Sequence, residues 1–391
     1  MMGENIADQI SRGVFLLVIL TLVLILLGFC FYVFVLWCKW RDREKRSLDL
    51  VTLLLAVPDD NEIKIDSMEQ VISSFGNMYK KAKIKLLQAF VAQPSLSLEI
   101  IGTSEDIRFY ISVPKKYQDM IEKQLYSVYP GADIKEVEDP NIFIAEGKVE
   151  YAALGTKKSS FYPIKTYREI PVDPLSSLTS TLSKLRENES AAIQIILSAT
   201  DGSWSKEGKN FISDTKKSEA NPEKASYKID AKQLEAIDIK SGNVGFETII
   251  RIVSVAKDEG SAKSNLSNIK SCFTQFESPW NKFSGRKIRL KSFFMTDFIY
   301  KYPLIFWHKG KTILSSDEIA SVFHLPNRTV ETPNIYWLKA KKAAAPADSP
   351  QEGLYIGDNK YRGVSKKFCM GESDRLVWVN HGYWLIWLCK I

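Results

Sequence analysis

The sequence predicts an α+β protein: an N-terminal transmembrane helix, then two ferredoxin-like βαββαβ modules, then a short β-rich segment. Three observations lead there. Val14 to Leu36 runs for 23 residues without a charge. Beyond it, apolar runs of strand length alternate with helically spaced apolar stripes in the order strand, helix, strand, strand, helix, strand. That order then repeats.

The apolar run comes first. Residues 1–13 form a short leader and residues 14–37 the membrane helix. At 1.5 Å per residue the run from Val14 to Leu36 measures about 34 Å, enough to cross a hydrocarbon layer of roughly 30 Å. Residues 38–46 follow as a basic stop holding Lys39, Arg41, Arg43, Lys45 and Arg46, against one basic residue, Arg12, ahead of the run. The positive-inside rule then places the N-terminus outside and the body in the cytoplasm, on the cytoplasmic membrane. Trp37 and Trp40 suit the interfacial belt. A cleaved signal peptide would have a shorter apolar core of about 7–15 residues, a basic leader and small residues at the cleavage site. Bulky Phe29 ahead of Cys30 argues against a lipoprotein site.

The first module is expected at 47–140. "LDLVTLLLAVP" is a buried strand ended by Pro58, and Met68, Val71, Ile72, Phe75 and Tyr79 form a helical stripe. "LSLEIIG" and "IRFYISVP" flank the turn Thr103 to Asp106 as a hairpin. A second stripe (Tyr117, Met120, Ile121, Leu125, Val128) closes at Pro130-Gly131, and "ADIKEVE" alternates as a final strand.

The second module is expected at 141–292. "SFYPIKTYREIP" supplies a strand, Leu175, Leu178, Leu182 and Leu185 a helix, and "AAIQIILSAT" with "GFETIIRIVSVA" a strand pair. A helix through Leu266, Ile269 and Phe273 and an alternating strand "RKIRLKSFF" complete it. Residues 201–242 open the central hairpin. Their first part, rich in Lys, Ser, Glu and Asn, predicts a mobile excursion, with a helix near Ala231 to Ile239.

Composition narrows the chemistry. The net charge of +7 is modest, and the five cysteines (Cys30, Cys38, Cys272, Cys369, Cys389) lack C-x-x-C spacing. Neither a disulfide framework nor a zinc site is expected. The histidines His308, His324 and His381 are too dispersed for a metal cluster and are expected in structural roles. "HKGKT" invites a phosphate loop, but that loop needs a glycine where Ile305 stands. No catalytic motif occurs, so the chain is read as a non-enzyme without a cofactor, and no small-molecule substrate is evident. Two basic clusters are candidate phosphate contacts, for DNA or lipid: Lys80, Lys81, Lys83 and Lys85, and Arg286, Lys287, Arg289 and Lys291. The plainer reading, a solvated helix end and an exposed strand face, is preferred because no aromatic residues interleave there.

From Ser315 onward runs "SSDEIASVFHLPNRTVETPNIYWLKAK", then a proline-bearing bridge and "EGLYIGDNKYRG". This resembles the segment leading into the motor of bacterial type IV secretion and conjugation ATPases of the HerA/FtsK clade. The matching positions are Glu318, Ala320, Phe323, His324, Leu325, Pro326, Thr332, Pro333, Asn334, Trp337, Gly353, Gly357 and Gly363. The strand with Phe246 and Arg251 is similar too. The resemblance implies that residues 293–375 are a pre-ATPase linker and that the chain is the membrane-anchored, non-catalytic front of a translocation ATPase. Its tasks would be tethering, assembly and substrate contact, and its partners the bilayer, copies of itself or an ATPase subunit, and DNA. ATP and magnesium would belong to a motor attached or supplied separately. After "MGESDR" the sequence departs from the family, with no Walker A loop. Residues 376–391 are read either as a frame-shifted product of a one-base change near Asp374 or Arg375, or as a native tail docking through Trp378, Tyr383, Trp384 and Trp387. The alternative function is a stand-alone membrane-tethered scaffold that binds a protein through an open sheet face. A lipid-binding role resting on Lys39 to Arg46 alone is weaker, since the topology signal explains those residues.

Overall fold

The computed structural model describes residues 2–82, 91–219, 230–288, 290–303, 312–339, 344–346, 348–361 and 364–371. Lys83, Lys85, Arg289, His308, Gly363 and the tail 376–391 lie outside the described residues. Helix α1 (Met2–Trp40) contains the apolar run and is, among the described residues, the helix long and apolar enough to cross a membrane. A short α2 (Arg43–Leu48) turns the chain into the body.

The first half is β1 (Leu50–Ala56), α3 (Ile65–Ser74), β2 (Ser95–Thr103), β3 (Ile107–Pro114), α4 (Gln118–Val128) and β4 (Asp133–Val137). The second is β5 (Lys148–Thr156), α5 (Pro174–Leu182), β6 (Ser190–Ala199), the helices α6 (Ser203–Glu219) and α7 (Ala231–Gly242), β7 (Gly245–Ala256), α8 (Glu259–Cys272) and β8 (Phe283–Gly285). Then come α9 (Lys291–Ile299), β9 (Ile313–Ser315) and α10 (Ser316–Val322), and last a separate hairpin of β10 (Leu354–Tyr361) and β11 (Val364–Met370).

All strands before β10 share one nine-stranded antiparallel sheet, in the order β4-β1-β3-β2-β6-β7-β5-β8, with β9 on the first residues of β7. Each half contributes four strands in the same internal order. The halves join where β2 and β6 pair from Ser95 opposite Ser198 to Thr103 opposite Ser190. Strand alternation sorts the core. Leu53, Ile100, Ile111, Ile193 and Ile252 face the layer of α3, α4, α5, α8 and α10, whereas Leu54, Ile101, Ala192 and Val253 face the other side. α5 passes so close to β2 that a Cβ at Gly102 would sit 2.9 Å from the Leu182 Cβ. The second half thereby clamps onto the first.

Three expectations change. The strand expected over 160–171 is irregular, interrupted by Pro163 and Pro171, and the first strand of this half is β5 instead. The strand expected over 286–294 ends at Gly285 and gives way to α9, because Phe294 and Phe298, one helical turn apart, are buried together against the sheet. The polar stretch expected as an excursion contains the 17-residue helix α6. Trp204 anchors it over Gly245, where a Cβ would lie 2.3 Å from the indole, and Phe211 packs 5.2 Å from Phe161. The helix expected near Ala231 is present as α7.

The second sheet face is covered over its centre. α9 and residues 142–144 lie across it, with Phe294 stacked on Tyr151 at 4.7 Å and Phe143 edge-on to Phe298 at 6.5 Å. The centre of this face is therefore not open as the scaffold alternative would have it, and beside Leu54, Ile101 and Tyr110 lies a cavity of about 310 Å³.

Candidate functional site at the seam of the two halves

Of the segment expected to lead out toward a motor, residues 313–338 instead close the body. β9 extends the sheet at β7, and all seven residues of α10 are buried. The chain then crosses to the first half, where Asn61 Nδ2 donates to Pro326 O (2.8 Å) and Ile107 N to Asn334 O (2.7 Å). It ends with Leu338 N donating to Val57 O (2.9 Å).

The resemblance motif supplies this seam. Glu318, in the first turn of α10, caps it from inside the helix, its Oε2 accepting from Ser315 N at 3.0 Å. The same carboxylate meets Lys240 Nζ of α7 at 2.8 Å, with both side chains almost fully buried, and Oε1 accepts from Ile164 N at 2.9 Å. Burial pushes the Glu318 carboxyl up, against the pull of Lys240. Phe323 packs edge-on to Phe109 at 6.1 Å, Leu325 and Pro326 are buried, and Trp337 packs partly buried on the core. Pro333 is exposed. Gly353 precedes β10 with φ +125°, where a Cβ would strike Met370 O, and Gly357 follows a register shift in β10.

His324 is buried with Nδ1 2.8 Å from Ala320 O and Nε2 2.9 Å from Asp173 Oδ1. The ring is thus held between a helix carbonyl and a buried carboxylate. Asp173 also caps α5 through the Leu175 amide at 2.9 Å. Burial pushes its carboxyl up, but the His324 hydrogen bond and charge and the Leu175 amide outweigh that and leave it below the ordinary carboxylate range. A depressed carboxyl stabilises the fold above its unfolded pKa, and this contribution is lost as pH falls through the folded value. Acidifying from about pH 7 to about pH 3 should therefore lower the thermal midpoint of the wild type more than that of Asp173→Asn, which has no carboxyl to protonate. Equal losses in the two would show that Asp173 carries no such linkage.

Beside this pair opens a cavity of about 410 Å³, lined by Lys64, Asp66, Tyr167, Arg168, Asn327 and Thr329 among others. Arg168 already serves Glu69 at 2.7 Å and lies 3.7 Å from Asp317. On the opposite sheet face a polar row crosses the junction: Glu99, Gln194 and Arg251 stand opposite one another on β2, β6 and β7. Gln194 Nε2 donates to Glu99 Oε1 (3.1 Å), and Arg251 Nη1 donates to Gln194 Oε1 (2.9 Å) and Asp297 O (2.9 Å). Arg251 Nη2 donates to Tyr302 O at 2.5 Å. Burial pushes the Arg251 guanidinium down to about 10, with Asp297 and Glu99 opposing, so it stays charged at neutral pH. Lys301 extends the row, its Nζ donating to Ser112 Oγ and Asp139 Oδ1, both at 2.7 Å.

The basic clusters do not converge. Lys80 and Lys81 are exposed after the turn that follows α3, whereas Arg286 follows β8 at an edge of the other half. Arg286 Nη2 is already engaged with Thr312 Oγ1 (3.0 Å) and Thr156 O (3.2 Å). Lys287 is exposed, and Lys291 donates to Val149 O at 3.1 Å. In the topology cluster, Arg41 lies 5.6 Å over the Trp37 ring and Lys45 is exposed. Arg43 lies 4.7 Å over the Tyr302 ring, and Arg46 is half-buried. Lys39 lies in the last turn of the long helix.

Residues 49–338 match the family described as a domain of unknown function, DUF8128. The chain belongs to this family. The DUF8128 domain begins with β1 and ends at Leu338, so it includes the whole seam and leaves α1 and the β10–β11 hairpin outside. No curated protein matches the chain.

Proposed function

We propose that this chain is a membrane-anchored, non-catalytic tethering and assembly module of the kind that precedes a type IV secretion or conjugation ATPase motor. On this reading α1 crosses the cytoplasmic membrane with the N-terminus outside. The DUF8128 body, two ferredoxin-like modules fused along one sheet, then holds whatever follows residue 338 at a set position below it. The strand order of each half supports the ferredoxin-like description.

One observation carries the reading. The segment directly after α1 is locked to the body rather than hung from it: Ser47 Oγ donates to Tyr300 O at 2.5 Å, and Arg43 packs on Tyr302 with Asp297 4.0 Å away. Arg251 grips the backbone of those same residues, Asp297 and Tyr302, from the sheet. Force or position is thereby passed from a membrane helix to the core through these contacts.

A promiscuous biotin ligase fused after residue 371 in the native cell tests the reading. Expected among the most strongly labelled proteins is a phosphate-loop motor of the HerA/FtsK clade. Strong labelling of other membrane or soluble proteins with no such motor would remove the translocation reading. Carbonate washing gives a second expected result: the chain stays in the membrane fraction, and a chain lacking residues 2–40 does not.

A further inference from the structure

We infer that α9 and α2 form a second membrane contact, in which the outward side of α9 lies on the acidic leaflet facing the body. This rests on the reading of α1 as a membrane span. The face of α9 that carries Phe294 and Phe298 is buried on the sheet, yet the helix also presents large apolar groups outward. Phe293 and Ile299 are 55% and 50% exposed, and Leu290, just ahead of the helix, is 58% exposed. Leu48 of α2 is 74% exposed. Single exposed apolar residues are ordinary, but two in one nine-residue helix, a third just ahead of it and a fourth on the helix bonded to its end are more than chance scatter over a short segment.

Position identifies the cover. Arg43 follows Leu36 by seven residues, about 10 Å of helix, while the headgroup layer outside the hydrocarbon is roughly 5–8 Å deep. α2 thus begins at the headgroup surface, and α2 holds the C-terminal end of α9 through the Ser47 to Tyr300 bond. A helix so placed, with aromatic and aliphatic groups outward, exposed Lys287 three residues ahead of Leu290 and exposed Lys45 on α2, has the character of an interfacial helix on anionic lipid. Tyr300, stacked on Tyr302 at 5.5 Å, supplies the amphipathic ring common at that depth. The contact would add a second point of support to the tie that α2 makes between α1 and the body, and so fix the tilt of the body against the bilayer.

The experiment uses the full chain in nanodiscs of phosphatidylcholine and phosphatidylserine that carry a lipid with a diazirine in its acyl chain. After illumination and digestion, mass spectrometry maps the adducts. Adducts are expected in α1 and again within 288–300, and the latter should fall several-fold in the variant Leu290→Asp with Phe293→Asp while those in α1 persist. Both changed positions are exposed, and an unaltered thermal midpoint confirms that the variant folds. Adducts in α1 with none in 288–300 of the wild type would overturn the second contact and leave the span standing. Adducts in neither would overturn the span reading itself. In phosphatidylcholine alone the α9 adducts should drop several-fold, and an unchanged yield would overturn the acidic-lipid part of the proposal.

Discussion

Replacing Glu318 with alanine should destabilise the body by about 3–5 kcal/mol, the usual cost of removing one member of a buried ion pair. For a body of this size that is a fall in thermal midpoint on the order of 10 °C. Lys240 is left with its ammonium 2% exposed and the Tyr162 carbonyl at 3.3 Å as its remaining hydrogen-bond acceptor. The amides of Ser315 and Ile164 lose their acceptor in the same step, so α10 loses its cap and the 164 loop its tie to the seam. Glu318→Gln should cost less, since an amide oxygen still accepts from one of those amides. The double change Glu318→Gln with Lys240→Met should cost less than Glu318→Ala alone, because no charge then remains buried without a partner. Thermal melts followed by circular dichroism on the detergent-solubilised full chain measure all three, together with Lys240→Met alone to close the cycle. Additive losses in the double variant would mean that the two residues stabilise the seam independently.

The same residue illustrates how far the sequence could be read. Glu318 stands out as part of a motif, and its bond to the Ser315 amide is local, yet its partner Lys240 lies on α7, far away in the chain and just past the helix expected near Ala231 to Ile239. Capping is local and therefore legible, whereas a buried partner is set by packing. The first half is legible nearly element by element because β1, β2 and β3 are mostly apolar runs near Pro, Gly or Asp and β4 alternates. The second half hid two of its elements. β5 carries Ala152 and Ala153 in place of branched residues, and α6 keeps its few anchors, Trp204 and Phe211, among lysines and serines. α9 follows a run whose alternation mimics a strand, and its helical nature shows only in the spacing of Phe294 and Phe298. The polar row had a signal that was open to view. Glu99, Gln194 and Arg251 each fall between two branched or long apolar residues in the middle of a mostly apolar strand, and a polar side chain there needs a buried partner.

That row supports the second large effect. Arg251→Ala should cost about 3–5 kcal/mol, because it removes three charge-assisted hydrogen bonds and leaves the Gln194 Oε1 and the carbonyls of Asp297 and Tyr302 short of a donor. Unlike the seam variant, its effect should concentrate on one element. α9 is held to the sheet by the apolar contacts of Phe294 and Phe298, by Gln194 and by this guanidinium, and the last grips both sides of its C-terminal end. Hydrogen exchange in Arg251→Ala should therefore quicken most over 291–302, while the amides of β1 and β3 stay protected. Arg251→Lys keeps the charge but presents a single nitrogen, which cannot serve two carbonyls and an amide in a fixed fork, so it should fall between the two. Retention in the membrane should not change, since α1 is untouched. If exchange instead rises evenly across the sheet, Arg251 is a general core residue and α9 is not its particular charge. If it rises over α9 alone, the connection from α2 through Asp297 and Tyr302 to the sheet depends on this one side chain. Lipid adducts on α9 should then fall with it.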